Sequence, residues 1–201
     1  MEKKLKILLL LLLPMLLLLV LPSCHKNNDD TPPPVEIFPL KVGNHWVFQT
    51  TQADSTKLNH VNDVLKDTLI NSEQWFVLTY DTVIRTICKN NFQGWWFLYD
   101  GKSFVTGNPD LYWKYPANVN NQYITADSSL VTVVSIDENI TVPAGNFICY
   151  HYHIIHYKES YECEEYLAPG FGLIKHIVYA PGTGVSNIAE VTNLVFYKLY
   201  L

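Results

Sequence analysis

Residues 146–179, NFICYHYHIIHYKESYECEEYLAPGFGLIKHIVY, decide the fold. Phe147 to Tyr157 is a long run of aromatic and β-branched residues, the side chains that fit a pleated, half-buried surface. Lys158-Glu159-Ser160 is a polar turn, and Tyr161 to Leu167 returns antiparallel to the first run. Pro169-Gly170-Phe171-Gly172 reads as a kink, after which Leu173 to Tyr179 continues as strand. Helical periodicity is absent throughout.

The same pattern extends in both directions. Upstream, Tyr123-Ile124-Thr125 and Leu130 to Ile136 read as strands, and Val142-Pro143-Ala144-Gly145-Asn146 as a turn. Downstream, Pro181-Gly182-Thr183-Gly184 is a loop and Ala189 to Leu201 closes the sheet. In the first half, His45 to Thr50, Trp75 to Tyr80, Thr82 to Lys89 and Leu111 to Tyr115 are strands, the last stopped by Pro116. Val61 to Ile70 has mixed polarity and is expected on a sheet edge. Trp95 to Tyr99 is a continuous apolar run, expected to be buried on both faces. Asp100-Gly101 is a hairpin turn into Ser103-Phe104-Val105. The expectation is an all-β domain over residues 38–201, a single curved antiparallel sheet or partly open β-barrel.

The N-terminus carries an address. Met1 to Lys6 is basic, and Ile7 to Leu21 is almost entirely leucine, too short for a comfortable membrane span. Leu21-Pro22-Ser23-Cys24 then resembles the bacterial lipobox, in which the cysteine becomes the first mature residue and carries lipid. Residues 1–23 are thus expected to be a signal peptide and Cys24 the lipidation site. Residues 24–37 are polar and then proline-rich, a composition that buries little apolar area and forms a flexible tether. Lys26 with Asp29-Asp30 resembles the acidic export signals of Bacteroidota surface lipoproteins. The expected location is the outer membrane, lipid-anchored, facing the periplasm or the cell surface.

The net charge is −5, and residues 1–23 hold three lysines against one acid, so the mature chain is more acidic still. Phosphate binding needs a basic patch, and nucleic acid is excluded as a partner on that ground. Beyond Cys24 the cysteines are Cys88, Cys149 and Cys163. An exported chain can form disulfides, and the pair Cys149–Cys163 flanks one apparent hairpin; buried free thiols are the equal alternative.

Chemistry-bearing residues are few. His151 and His153 share a strand face with Cys149 and could ligate a metal with Glu162 or Glu164, but histidines among aromatics on a half-exposed face are the preferred reading. Glu159, Glu162, Glu164 and Glu165 cluster at the hairpin tip, where charge ordinarily blocks edge pairing. No nucleophile elbow, zincin or Cys-x-x-Cys motif occurs, so no enzymatic activity and no cofactor is expected. Trp95, Trp96, Tyr99 and Trp113 are the candidate ligand-binding residues, because flat amphipathic rings stack sugars or line lipid grooves.

FPLKVGNHW (38–46), TVPAGNF (141–147) and the APGFGLIK run at 168–175 resemble recurring motifs of uncharacterised Bacteroidota lipoproteins. More distantly the pattern is similar to the periplasmic lipoprotein-carrier half-barrels. That resemblance implies a strongly curved antiparallel sheet whose concave face can hold acyl chains. Two functions are carried forward: a binding module for a hydrophobic or glycan ligand, and a structural lipoprotein that contacts envelope proteins without a small ligand. Metabolic labelling with a fatty acid is expected to mark the wild-type chain and to miss Cys24→Ser.

Overall fold

The computed structural model describes residues 35–99 and 107–200. The signal peptide, Cys24, the tether up to residue 34, the Asp100-Gly101 turn and the Ser103–Val105 strand lie outside the described residues, as does the side chain of Tyr99. The body is one sheet of 12 strands in the order β6-β5-β4-β3-β2-β1-β12-β11-β10-β9-β8-β7. Every pairing is antiparallel. The strands are β1 (His45–Gln52), β2 (Lys57–Ile70), β3 (Glu73–Tyr80), β4 (Val83–Asn91), β5 (Gly94–Tyr99), β6 (Asn108–Lys114), β7 (Gln122–Ile124), β8 (Leu130–Val142), β9 (Gly145–His156), β10 (Tyr161–Ala168), β11 (Gly172–Tyr179) and β12 (Ile188–Lys198). The chain meanders outward from β1 to β6, crosses to the far edge at β7, and meanders back until β12 pairs with β1. The expected single antiparallel sheet is what forms, and it is not closed into a barrel. Among the described residues there is no α-helix, and no helix long and apolar enough to cross a membrane.

Three local expectations change. Residues 169–172 do not kink a continuing strand but reverse it: Phe171 N bonds Ala168 O at 2.9 Å, Gly170 and Gly172 take φ of +81° and +90°, and β10 pairs with β11. Gly172 also lies where a Cβ would press into the Phe38 ring, so the turn and the core both require glycine. Strand β2 is interior, between β1 and β3. Among its polar residues Asn62 lines an open groove, Asp63 pairs with His45, and Lys66 and Asp67 are exposed. Ile37, assigned to the tether, is buried in the core, and Glu36 O accepts from Gly170 N at 2.7 Å, so the folded body begins upstream of residue 38.

The inner face of the sheet carries Trp46, Phe48, Trp95, Phe97 and Trp113, all buried. Phe38 plugs it, with ring centroids 4.7 Å from Trp46, 6.2 Å from Trp95 and 5.9 Å from Trp113. Asn90 Nδ2 donates to Phe38 O at 2.7 Å and fixes the plug. The edge strands β6 and β7 are joined by side chains in place of a ladder. Tyr123 OH donates to Tyr112 O and accepts from Lys114 N, at 2.5 and 3.1 Å. Asp110 accepts from Ala126 N at 2.7 Å, and Tyr152 OH donates to Lys114 O at 2.8 Å. These bonds occupy edge groups that would otherwise invite another strand.

Phe38→Ala is expected to destabilise the fold by about 3–5 kcal/mol in urea titration, the range for emptying a buried phenylalanine site. Phe92→Ala, at an exposed turn position, is expected to stay within about 0.5 kcal/mol of wild type.

Candidate functional site

Past the Phe38 plug the inner face opens into a groove of about 320 Å³. The alternation of β1 and β2 supplies Phe48, Thr50, Leu58, His60 and Asn62 to it, and β11 and β12 supply Leu173, His176, Glu190 and Thr192. Tyr80 lines the same space, stacked on His60 at 4.8 Å. Thr50 and Thr192 share a 2.6 Å hydroxyl bond across β1 and β12. The amide oxygen of Asn62 is buried and has no hydrogen-bond partner in the protein. The groove thus combines aliphatic walls with hydroxyl, amide and carboxylate groups.

Below the groove lies a cluster of buried polar groups. Glu165 on β10 is 6% exposed and accepts from Trp113 Nε1 at 2.5 Å and from Tyr112 OH at 3.4 Å. Tyr112 and Trp113 are adjacent, and a register shift between Trp95 and Trp96 lets β6 turn both toward the interior. Burial pushes the Glu165 carboxyl up to about 7, against the opposing pull of the two donors. Glu165 faces His176 across the β10–β11 pair, and burial lowers the His176 imidazole to about 4. Cys163 shares the Glu165 face, and its Sγ lies 3.5 Å from His156 Nε2. His156 Nδ1 is 2.8 Å from Ser129 Oγ and 3.9 Å from Asp127 Oδ2. The order Cys163, His156, Ser129 and Asp127 has the outline of a nucleophilic relay. Burial nevertheless holds the Cys163 thiol far above its ordinary range and lowers His156, so the pair rests neutral. A neutral buried thiol is a poor nucleophile.

The residues singled out from sequence scatter over this frame. Trp95 and Trp113 are 6% exposed, and their faces are taken by Phe38, Phe97, Tyr112 and each other. Their rings fill the core; the open groove is built from other side chains. Trp96 is half-buried and donates to Asn91 Oδ1 at 2.9 Å. His151 and His153 share a face, as their spacing requires, but each turns to its own carboxylate. His151 Nδ1 is 2.9 Å from Glu138 and His153 Nε2 is 2.8 Å from Glu162, while the His151 ring stacks on Tyr166. The Cys149–Cys163 disulfide is not formed, and both are free buried thiols. Cys163 pairs with Ile154, five positions along β9 from Cys149 and on the opposite face. Five strand residues span about 16 Å, more than twice the Cα separation a disulfide tolerates.

Glu165 and His176 are the functional candidates that the sequence reading missed. Glu165 was grouped with Glu159, Glu162 and Glu164 as hairpin charge. A signal separated it: it alternates with Cys163 and Leu167, an apolar face, whereas Glu162 and Glu164 lie on the other.

No protein-family model and no curated protein matches the chain. Among solved structures, it is similar to a Bacteroides fragilis protein with a YmcC-like fold, provisionally named as exported. The TM-score is 0.53 with 15% identity, covering 82% of this chain and all of that one. A structure provisionally named a lipoprotein from Parabacteroides distasonis aligns with a TM-score of 0.49 and 19% identity, over 83% of this chain and all of that one. The first likeness shows the fold: this chain shares the YmcC-like sheet.

Glu165 makes stability pH-dependent. Below about pH 4.5 both folded and unfolded chains hold its proton. Between about 4.5 and 7 the unfolded chain releases it first, so stability falls as pH rises, by about 3 kcal/mol in total. Glu165→Gln is expected to flatten that part of the profile and to be the more stable protein at pH 8, as read by urea midpoints across the range.

Proposed function

We propose that this chain is a lipid-anchored lipoprotein of the cell envelope whose inner groove is a non-catalytic binding site for a glycan-type ligand. The lipobox-like run ending in Cys24 supports the address, and the Bacteroides fragilis protein named as exported is in keeping with it. The observation that carries the binding role is the open groove of about 320 Å³, whose walls mix aliphatic and aromatic side chains with hydroxyl and carboxylate groups. Thr50, Thr192 and Glu190 offer the polar groups, while Phe48, Leu58, Leu173 and the Tyr80–His60 stack supply the apolar faces on which sugar rings rest. The hydroxyl and carboxylate groups of Thr50, Thr192 and Glu190 among these apolar faces favour a hydroxylated ligand over a bare acyl chain.

The test is native mass spectrometry of the detergent-purified chain with solvent extraction, followed by a glycan-array screen. A saccharide adduct or array hit is expected. Leu58→Trp, which fills the groove from a partly exposed position, is expected to weaken it at least about tenfold, equivalent to about 1.4 kcal/mol. A co-purifying acyl lipid would reassign the groove to a hydrophobic ligand. An empty protein with no array hit would overturn the binding role in favour of protein contacts in the envelope.

A further inference from the structure

The buried polar cluster has a composition that hydrogen bonding alone does not explain. A carboxylate, a thiol and an imidazole, from Glu165, Cys163 and His176, place one donor atom each within 4.8 Å of one another. They come from directly paired positions: Glu165 opposes His176 across β10 and β11, and Cys163 is two residues from Glu165 on the same face. Both hydrogen-bond donors to Glu165, an indole and a phenol, are neutral. A buried carboxylate requires a positive charge or a proton to remain there.

We propose that Cys163, Glu165 and His176 form a divalent metal site of the zinc type at the floor of the inner groove, with the fourth position open to the groove. The donor set suits that ion: thiolate and imidazole select zinc over magnesium or calcium, and a carboxylate completes a three-protein-ligand site. Bonds of about 2.0–2.3 Å place tetrahedral ligand atoms about 3–4 Å apart, so the cluster, whose ligand atoms lie within 4.8 Å of one another, closes on an ion by side-chain shifts of at most about 1–2 Å. The groups that orient ligands in such sites are present. Trp113 and Tyr112 hold the carboxylate, and His156, itself bound to Ser129, meets the Cys163 sulfur. His176 lines the groove and gives the ion an entry path. On binding, the sulfur–hydrogen bond breaks and a sulfur–metal bond forms, the Glu165 carboxyl gives up its proton where it holds one as its oxygen bonds the metal, and the released protons leave to water. The two anionic ligands then balance the ion's two positive charges in a buried setting. The site uses the groove of the proposed function as its opening, but the ion binds with or without a glycan.

Cobalt(II) is the probe, added to the full chain in detergent after chelator treatment, with no saccharide present. The expected result is one ion per chain and a near-ultraviolet sulfur-to-cobalt charge-transfer band that zinc abolishes. Cys163→Ser and His176→Gln are each expected to lower affinity at least about a hundredfold. His151→Ala and His153→Ala, on the other face, are expected to leave it unchanged. Combined replacement of Cys24, Cys88 and Cys149 by serine is expected to keep the band, which assigns the thiolate even where Cys163→Ser fails to fold. No cobalt uptake by the wild-type chain, uptake without a thiolate band, or a band that survives Cys163→Ser would overturn the site. Because saccharide is absent, this result is read separately from that of the glycan screen.

Discussion

The hydrogen bond from the Trp113 indole to the Glu165 carboxylate ties together strands that are far apart in the sheet. β6 is one edge, and β10 is separated from the other edge by β9 and β8. For Trp113 to reach Glu165 the sheet must curl until its edge strand looks across the interior. Such a bond, inside a low-dielectric core and to a group with charge, is stronger than its surface counterpart. The β6 irregularity that turns Tyr112 inward, the Tyr123 and Asp110 bonds along the seam, and the Tyr152 bond to Lys114 all serve the same approach. The inner face divides accordingly. Aromatic rings fill it beside Phe38, and polar side chains line it where the plug ends.

The three sequence motifs that mark this chain meet at one place. Phe38 lies against Trp46; the Trp46 indole donates to Phe171 O at 2.7 Å; Phe171 packs on Phe147 at 5.2 Å. Each motif therefore supplies part of one packing cluster. The turn glycine Gly172 belongs to it because the Phe38 ring occupies the space a side chain would need.

The strands were legible because β-sheet burial writes itself as alternation and its ends as Gly, Pro and Asn. What alternation does not encode is which neighbour a strand finds. β2 read as an edge since polar residues on a strand usually mean solvent; here Leu58, His60 and Asn62 face a groove. Residues 169–172 read as a kink because a tight turn and a bend share the same glycines. The tryptophans were recognised as a cluster, but whether a ring lines a groove or fills a core depends on what lies over it. Here that is Phe38, the first residue of the expected domain, whose place over the rings strand alternation does not reveal. Glu165 was obscured by three glutamates that do reach the surface or the outer face, and His176 pairs with it only through the β10–β11 register.

The adjacency of β1 and β12 has a consequence for how the chain assembles. Each meander, β1 to β6 and β7 to β12, is built from neighbours in sequence and can zip as soon as its residues are available. The central seam is different: His45 waits for Lys198, and Gln52 for Glu190. Until the last strand is made, β1 presents one unpaired edge in the middle of the future sheet, next to Trp46 and Phe48. The newborn chain is thus most exposed to mispairing at its centre and not at its rims, and the final strand acts as the latch that ends that exposure.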